Sequence, residues 1–180
     1  KGNPGSKEFR AALRDALVKN VGAENVVFNE VVEPGTKDYR TLMTRLKAAE
    51  FDVFVPNGQS DSTVGAMMAN YGEAGITKPS VGTDTADNIT VIQIAKDGAK
   101  NLQAVNVPAS GAGKPFETNF TAKYGAPQSS IAWGAHAYDA VGVLAEIMKT
   151  ATDGESIRVA LNAMEKYDGV IGTFGFDQRG

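Results

Sequence analysis

What most constrains this chain is a repeated alternation of two patterns. Short apolar, β-branched runs are separated by stretches whose apolar residues recur every three or four positions. The runs Asn25-Val26-Val27-Phe28, Asp52-Val53-Phe54-Val55 and Ser80-Val81-Gly82, and the stretch 102–107, read as strands. Between them lie helical stripes. Ser6 is the expected cap of a helix whose stripe is Phe9, Leu13, Ala16 and Leu17, ending near Gly22. After a Pro34-Gly35 turn, Asp38 is the expected cap of a second helix with Tyr39, Leu42, Met43 and Leu46. A third helix carries Val64, Met67, Met68 and Tyr71 and stops at Gly75, and a short one starts at Ile89. Apolar strands too short to be two-sided, each followed by a helix, predict an α/β fold. Its sheet is mainly parallel and open, with helices on both faces.

The pattern changes after Val107. Residues 108–115 are rich in Gly, Ala and Pro and read as a linker. Helices over about 116–124 and 130–151 follow with no strand between them. The second is rich in alanine, with Ala137, Val141, Leu144, Ala145 and Met148 as its expected apolar side. A last helix over about 155–167 leads into residues 169–176, read as a hairpin or an irregular pair of short strands.

Composition removes several function classes. With a net charge of −3 and its 18 Lys and Arg spread along the chain, nucleic acid is not an expected partner. Cysteine is absent, so thiolate chemistry, disulfides and cysteine metal sites are excluded. No apolar run comes near the ~20 residues that span a bilayer.

Catalytic motifs fail on spacing. Gly58-Gln59-Ser60-Asp61-Ser62 lacks the closing glycine of a nucleophile elbow. Gly111-Ala112-Gly113-Lys114 has Pro108 and Pro115 where a phosphate loop needs a glycine and a hydroxyl. The single histidine, His136, sits among alanines and reads as a helix-packing residue. Gly169, Gly172 and Gly175 do not open a helix, so they make no dinucleotide fingerprint. No carboxylates stand at calcium-loop spacing. The sequence therefore calls for no catalytic residue, metal ligand or cofactor.

Open parallel sheets bind ligands at the carboxyl ends of their strands. Two loops qualify, Asn57-Gly58-Gln59-Ser60-Asp61-Ser62 and Thr83-Asp84-Thr85-Ala86-Asp87-Asn88. Both are dense in hydroxyl, amide and carboxylate groups and both precede helix N-termini. Ser62, and Asp87 or Asn88, are placed to be N-caps. Ser60 and Asp84 lie earlier in the loops and are the candidate ligand contacts, with Gln59, Asp61 and Thr85 beside them.

At this point a resemblance emerges. The run Glu33-Pro34-Gly35-Thr36-Lys37-Asp38-Tyr39 with Leu42, Leu46 and Lys47 resembles a stretch of the branched-chain amino-acid-binding (Leu/Ile/Val-type) periplasmic solute-binding proteins. So do Asp52-Val53-Phe54-Val55 with Gly58, the helix end Glu73-Ala74-Gly75, the helix motif Ala137-Tyr138-Asp139-Ala140-Val141, and the close over 172–177 followed by Gln178-Arg179-Gly180. Each motif is weak alone; their shared order over nearly the whole chain is more specific.

The resemblance implies a type I lobe from a two-lobed protein. Residues 1–107 and 169–180 resemble its second lobe, and 108–168 resemble the linker and crossover helices belonging partly to the first. It implies the solute-binding component of an ABC importer, which captures an amino acid or a related small polar or carboxylate compound between its lobes. The location implied is periplasmic or extracytoplasmic, with a lipid anchor in a Gram-positive source. Its partners would be the small molecule, the membrane permease and the first lobe. A ligand-sensing receptor domain of the same fold is the alternative. By the same resemblance, Asp84 occupies the place of an acidic residue that holds the ligand's ammonium group. Ser60 stands where the family has an aromatic residue, and Gly5 where it has a tyrosine, and both departures leave the solute open. The family's lobe opens with a central strand just ahead of the helix that matches residues 6–20. The expectation is therefore a longer protein, in which a further segment or a neighbouring copy supplies the strand and covers Val141, Leu144 and Met148.

Overall fold

The computed structural model describes residues 4–33, 35–111, 115–127 and 130–177, with the backbone alone for 4–6. The sequence expectations that rest on Pro34, on residues 112–114 and on 178–180 lie outside these, as do those on the side chains of Gly5 and Ser6. Two compact units are present, Lys1–Val105 and Asn106–Gly180.

In the first unit the helices form where the periodicity places them. Helix α1 spans Pro4–Val21, starting before Ser6, with a proline at its first position where no N–H is needed. It ends at Gly22, whose φ of 89° only glycine adopts readily. Helix α2 spans Arg40–Ala48 and buries Leu42, Met43 and Leu46. Asp38 serves its start, accepting the Arg40 N–H at 3.0 Å, although Tyr39 occupies the cap position. Helix α3 (Asp61–Glu73) buries Val64, Met67, Met68 and Tyr71, and α4 (Ile89–Ala95) buries Val91 and Ala95. The strands β1 (Ser80–Gly82) and β2 (Leu102–Ala104) pair in parallel, Ser80 opposite Leu102. Phe54 joins the other side of β1 by a parallel bridge, its N–H reaching the Pro79 carbonyl at 3.0 Å and its carbonyl the Val81 N–H at 2.9 Å. The expected open, parallel sheet is thus present. Tyr39, Met43, Leu46, Phe54, Met68 and Tyr71 belong to its core, and the Phe54 and Tyr71 rings stack at 5.3 Å. Burial raises the pKa of both Tyr39 and Tyr71.

Of the expected strands, the run 52–55 is reduced to the single bridge at Phe54, and the run 25–28 is not formed. A short 3-10 turn covers Ala23–Asn25, and the backbone is irregular from Val26 to the start of α2 wherever it is described. Phe28 and Val32 pack against the core while Val27 and Val31 face solvent. A strand exists only through its neighbour's backbone, and no segment described here pairs with this run. Phe28 and Val32 still reach the core, but the ladder does not form.

The second unit begins with a connecting segment and contains α5 (Phe116–Tyr124), α6 (Ala132–Ile147) and α7 (Gly154–Asn162). Its hairpin pairs β3 (Tyr167–Gly169) antiparallel to β4 (Gly172–Phe174), two residues earlier than the sequence indicates. Helix α7 is held by a capping box between Asp153 and Ser156. Helix α6 buries Ala135, Asp139, Val143 and Ile147 along one side. The apolar side expected from the sequence is the other one, and it faces solvent: Val141 is 66% exposed, Met148 59% and Leu144 42%. His136 is a packing residue, its ring nitrogen 2.9 Å from the Ala132 carbonyl and its ring against Trp133.

Candidate functional site

The carboxyl ends of the parallel strands turn into the two polar loops. Phe54 leads through the buried Pro56 into residues 57–62, and β1 leads directly into 83–88. The two loops are joined, because the Thr85 hydroxyl donates to the Gly58 carbonyl at 3.1 Å. Both loops are tightly drawn in. A Cβ at Gly58 would lie 2.9 Å from the Val64 side chain, and one at Gly82 would lie 2.2 Å from the Ala86 Cβ. Glycine at these positions lets each loop fold back against its own helix or turn.

Each candidate residue has a definite place. Ser60 is the N-cap of α3, its hydroxyl accepting the Thr63 N–H at 3.2 Å and lying 3.0 Å from the hydroxyls of Ser62 and Thr63. This corrects the sequence analysis, which gave the cap to Ser62. The helix begins two residues earlier, and Ser60-x-x-Thr63 carries the N-cap-to-N3 spacing of a cap. Asp61 is in the first turn of α3 and accepts the Ser62 N–H at 2.7 Å. Gln59 is exposed. Asn88 caps α4 through the Thr90 N–H at 2.9 Å, as expected. Thr83, Thr85 and Asp84 are half-buried, and a 3-10 turn over Asp84–Ala86 holds them. The Thr83 and Thr85 hydroxyls are 3.3 Å apart.

Among the described residues, no hydrogen-bond donor and no cation engages the Asp84 carboxylate. It is set in the turn by its backbone, whose carbonyl accepts the Asp87 N–H at 3.1 Å. The structure therefore gives most polar groups of the rim an internal partner and leaves Asp84 as an uncommitted acceptor. Among the described residues no cluster of three potential metal ligands is present, and no helix is long and apolar enough to cross a membrane.

A mainly parallel open sheet with polar loops at its carboxyl rim is the architecture of a ligand-binding α/β lobe. The family model described as periplasmic binding protein matches residues 1–180, and the chain belongs to that family. The Leu/Ile/Val-binding protein of Escherichia coli is 29% identical over 94% of this chain and 45% of its own length. The Leu/Ile/Val/Thr-binding protein of Salmonella typhimurium is 28% identical over 94% of this chain and 46% of its own length. The chain thus spans about half the length of the curated relatives it matches. A branched-chain amino-acid transporter substrate-binding protein from Streptococcus pneumoniae, solved in complex with isoleucine, superposes with a TM-score of 0.69 at 28% identity. That match covers 82% of this chain and 43% of the other. A type 1 periplasmic binding protein from Bordetella pertussis has the same fold, with a TM-score of 0.79 at 19% identity, over 93% of this chain and 49% of the other.

Proposed function

We propose that this chain forms part of the solute-binding component of an ABC importer, a protein without enzymatic activity that works outside the cytoplasmic membrane. Its solute is an amino acid or a related small polar or carboxylate compound. Residues 1–107 and 169–180 correspond to the second lobe, and 108–168 to the linker and crossover helices. The first lobe of the same protein and the membrane permease are its partners, and a lipid anchor would hold it at the surface of a Gram-positive cell.

The observation that carries this reading is the uncommitted, half-buried Asp84 carboxylate on a rim whose two loops are hydrogen-bonded to each other. A carboxylate in a closing cleft is a strong partner for an ammonium group. The electrostatics point the same way. No Lys or Arg lies between Lys47 and Lys78 or between Lys78 and Lys96, while Asp61, Asp84 and Asp87 stand on the two loops. The rim therefore favours the cationic end of a solute. Ser60, Gln59, Asp61 and Thr85, on the same two loops, complete the proposed contact set. Exposed Val141, Leu144 and Met148 support a first lobe seated on α6.

The test is a panel of amino acids, small amides and carboxylic acids screened for thermal stabilisation of the intact protein, followed by Asp84→Ala against the best binder. Loss of affinity by several kcal/mol is expected, because a buried ammonium is left unpaired. Unchanged affinity rejects the role of Asp84. A panel with no binder, repeated on the protein with both lobes, rejects the solute class.

A further inference from the structure

Asp139 lies in the middle of α6 and is 1% exposed. Among the described residues it is the only charged side chain buried so deeply, and no cation pairs with it. Instead its two carboxylate oxygens each accept one backbone N–H of the turn between β3 and β4. Val170 N is 2.8 Å from Oδ1 and Ile171 N is 2.9 Å from Oδ2. The turn continues outward to a third piece of chain, since the Val170 carbonyl accepts the Gly111 N–H at 2.7 Å. The fit leaves no spare room. A Cβ at Gly169 would lie 2.2 Å from Asp139 Oδ2, and one at Gly111 would lie 2.9 Å from the Gly172 Cα.

We infer that Asp139 is a positioning residue that fixes the connecting segment at Gly111 by way of the β3–β4 turn. A buried carboxylate without a cation is a costly way to fill space, and an apolar residue would pack there more cheaply. What a carboxylate supplies, and an isosteric amide does not, is an acceptor on both branches at once. Two adjacent turn N–H groups that β3–β4 pairing leaves over are thereby satisfied, and the turn holds one geometry. The carbonyl presented by that turn then sets the course of the chain at Gly111. The inference rests on the second unit alone and stands whether or not the solute reading does.

Hydrogen exchange resolved by residue in the full chain tests it. In the wild type, the amides of Val170, Ile171 and Gly111 exchange slowly for residues outside helices; exchange at the rate of free chain overturns the proposal. Asp139→Asn keeps the volume and loses one acceptor. It is expected to speed exchange at Val170 or Ile171, and at Gly111, on the order of tenfold or more, the scale of hydrogen bonds to a charged acceptor. The α7 amides should not change. If Asp139 merely fills space, the Asn variant exchanges like the wild type, and that result overturns the proposal. Gly169→Ala supplies a second, independent reading. It should speed exchange at the same amides in the wild-type background and change nothing further in Asp139→Ala, where the opposing carboxylate is gone. Equal effects in both backgrounds would place the contact elsewhere. If Asp139→Ala does not fold, the wild-type and Asn measurements decide alone.

Discussion

A single methyl group added at residue 98 probes the contact on which the position of α3 depends. Helix α3 lies against the 3-10 turn Lys96–Ala99 with two glycines face to face, and a Cβ at Gly72 would be 2.8 Å from the Gly98 Cα. A Cβ at Gly98 would sit 1.9 Å from the Met68 carbonyl oxygen and 2.8 Å from its carbonyl carbon. The obstruction is backbone on both sides, so no side chain can swing away, and helix and turn must part by about an ångström. Overpacking costs about 1–3 kcal/mol in ordinary cores, and a backbone obstruction belongs at the top of that range. Reduced freedom of the unfolded chain offsets about 0.4–1 kcal/mol of this. The net expectation for Gly98→Ala is about 2–3 kcal/mol of destabilisation, a melting point lower by roughly 10–20 °C for a unit of this size. Thermal unfolding followed by circular dichroism measures it. Gly154→Ala is the control, because a Cβ there meets nothing within 4 Å. A Gly98→Ala variant within about 0.5 kcal/mol of wild type would refute the reasoning, and with it the contact that seats α3 and its rim loop.

The remaining expectations concern single groups. Ser60→Ala should cost about 1 kcal/mol as a lost N-cap, and Ser60→Asp should recover most of it; if both variants lose equally in a chemical melt, the hydroxyl is not acting as a cap. The Arg40 guanidinium and then its backbone N–H hold the Asp38 pKa down, from 3.8 to about 2. The contribution of Asp38 is therefore complete above its ordinary value and fades as pH falls toward about 2. The stability difference between wild type and Asp38→Asn should close over that window in pH-dependent melts, and a difference that persists unchanged at pH 2 contradicts the pairing. Val141→Lys with Met148→Lys should leave this 180-residue chain as stable as before and make it less prone to associate. In a two-lobed protein the same pair should lower the melting point, and no loss there would argue against a lobe seated on α6.

The helices were legible because their hydrogen bonds close within one segment. The stripe Leu42, Met43, Leu46 and the stripe Val64, Met67, Met68, Tyr71 needed no knowledge of the rest of the chain to be placed. Strand identity was legible only where a partner follows in sequence. Ser80-Val81-Gly82 has Leu102–Ala104 beside it, whereas Val26-Val27-Phe28 is as β-prone and stays irregular. The two rim loops are legible from composition and strand ends, whereas the bond that joins Thr85 to Gly58 is visible only in the structure. Ser60 was misjudged by one register of cap geometry, a matter of two residues in a stretch with serine at both positions. The structural weight of Asp139 could not be read at all. Its motif was visible, but its partners are backbone groups some thirty residues away, and backbone donors leave no trace in sequence.

Two stretches with exposed apolar side chains differ in kind. On α6 the backbone is satisfied internally, so the helix keeps its form with Val141 and Met148 in water and forgoes only their burial. At residues 26–32 the apolar side chains are present but no ladder partner is found among the described residues, so what the run lacks is hydrogen bonding along a strand. Phe54 makes the same point from the other side. Both its backbone bonds go to the β1 side, and Val53 beside it is half exposed. A surface laid on α6 would bury side chains and change no secondary structure. The sheet, unlike the helices, is the element of this protein whose extent depends on what stands next to it.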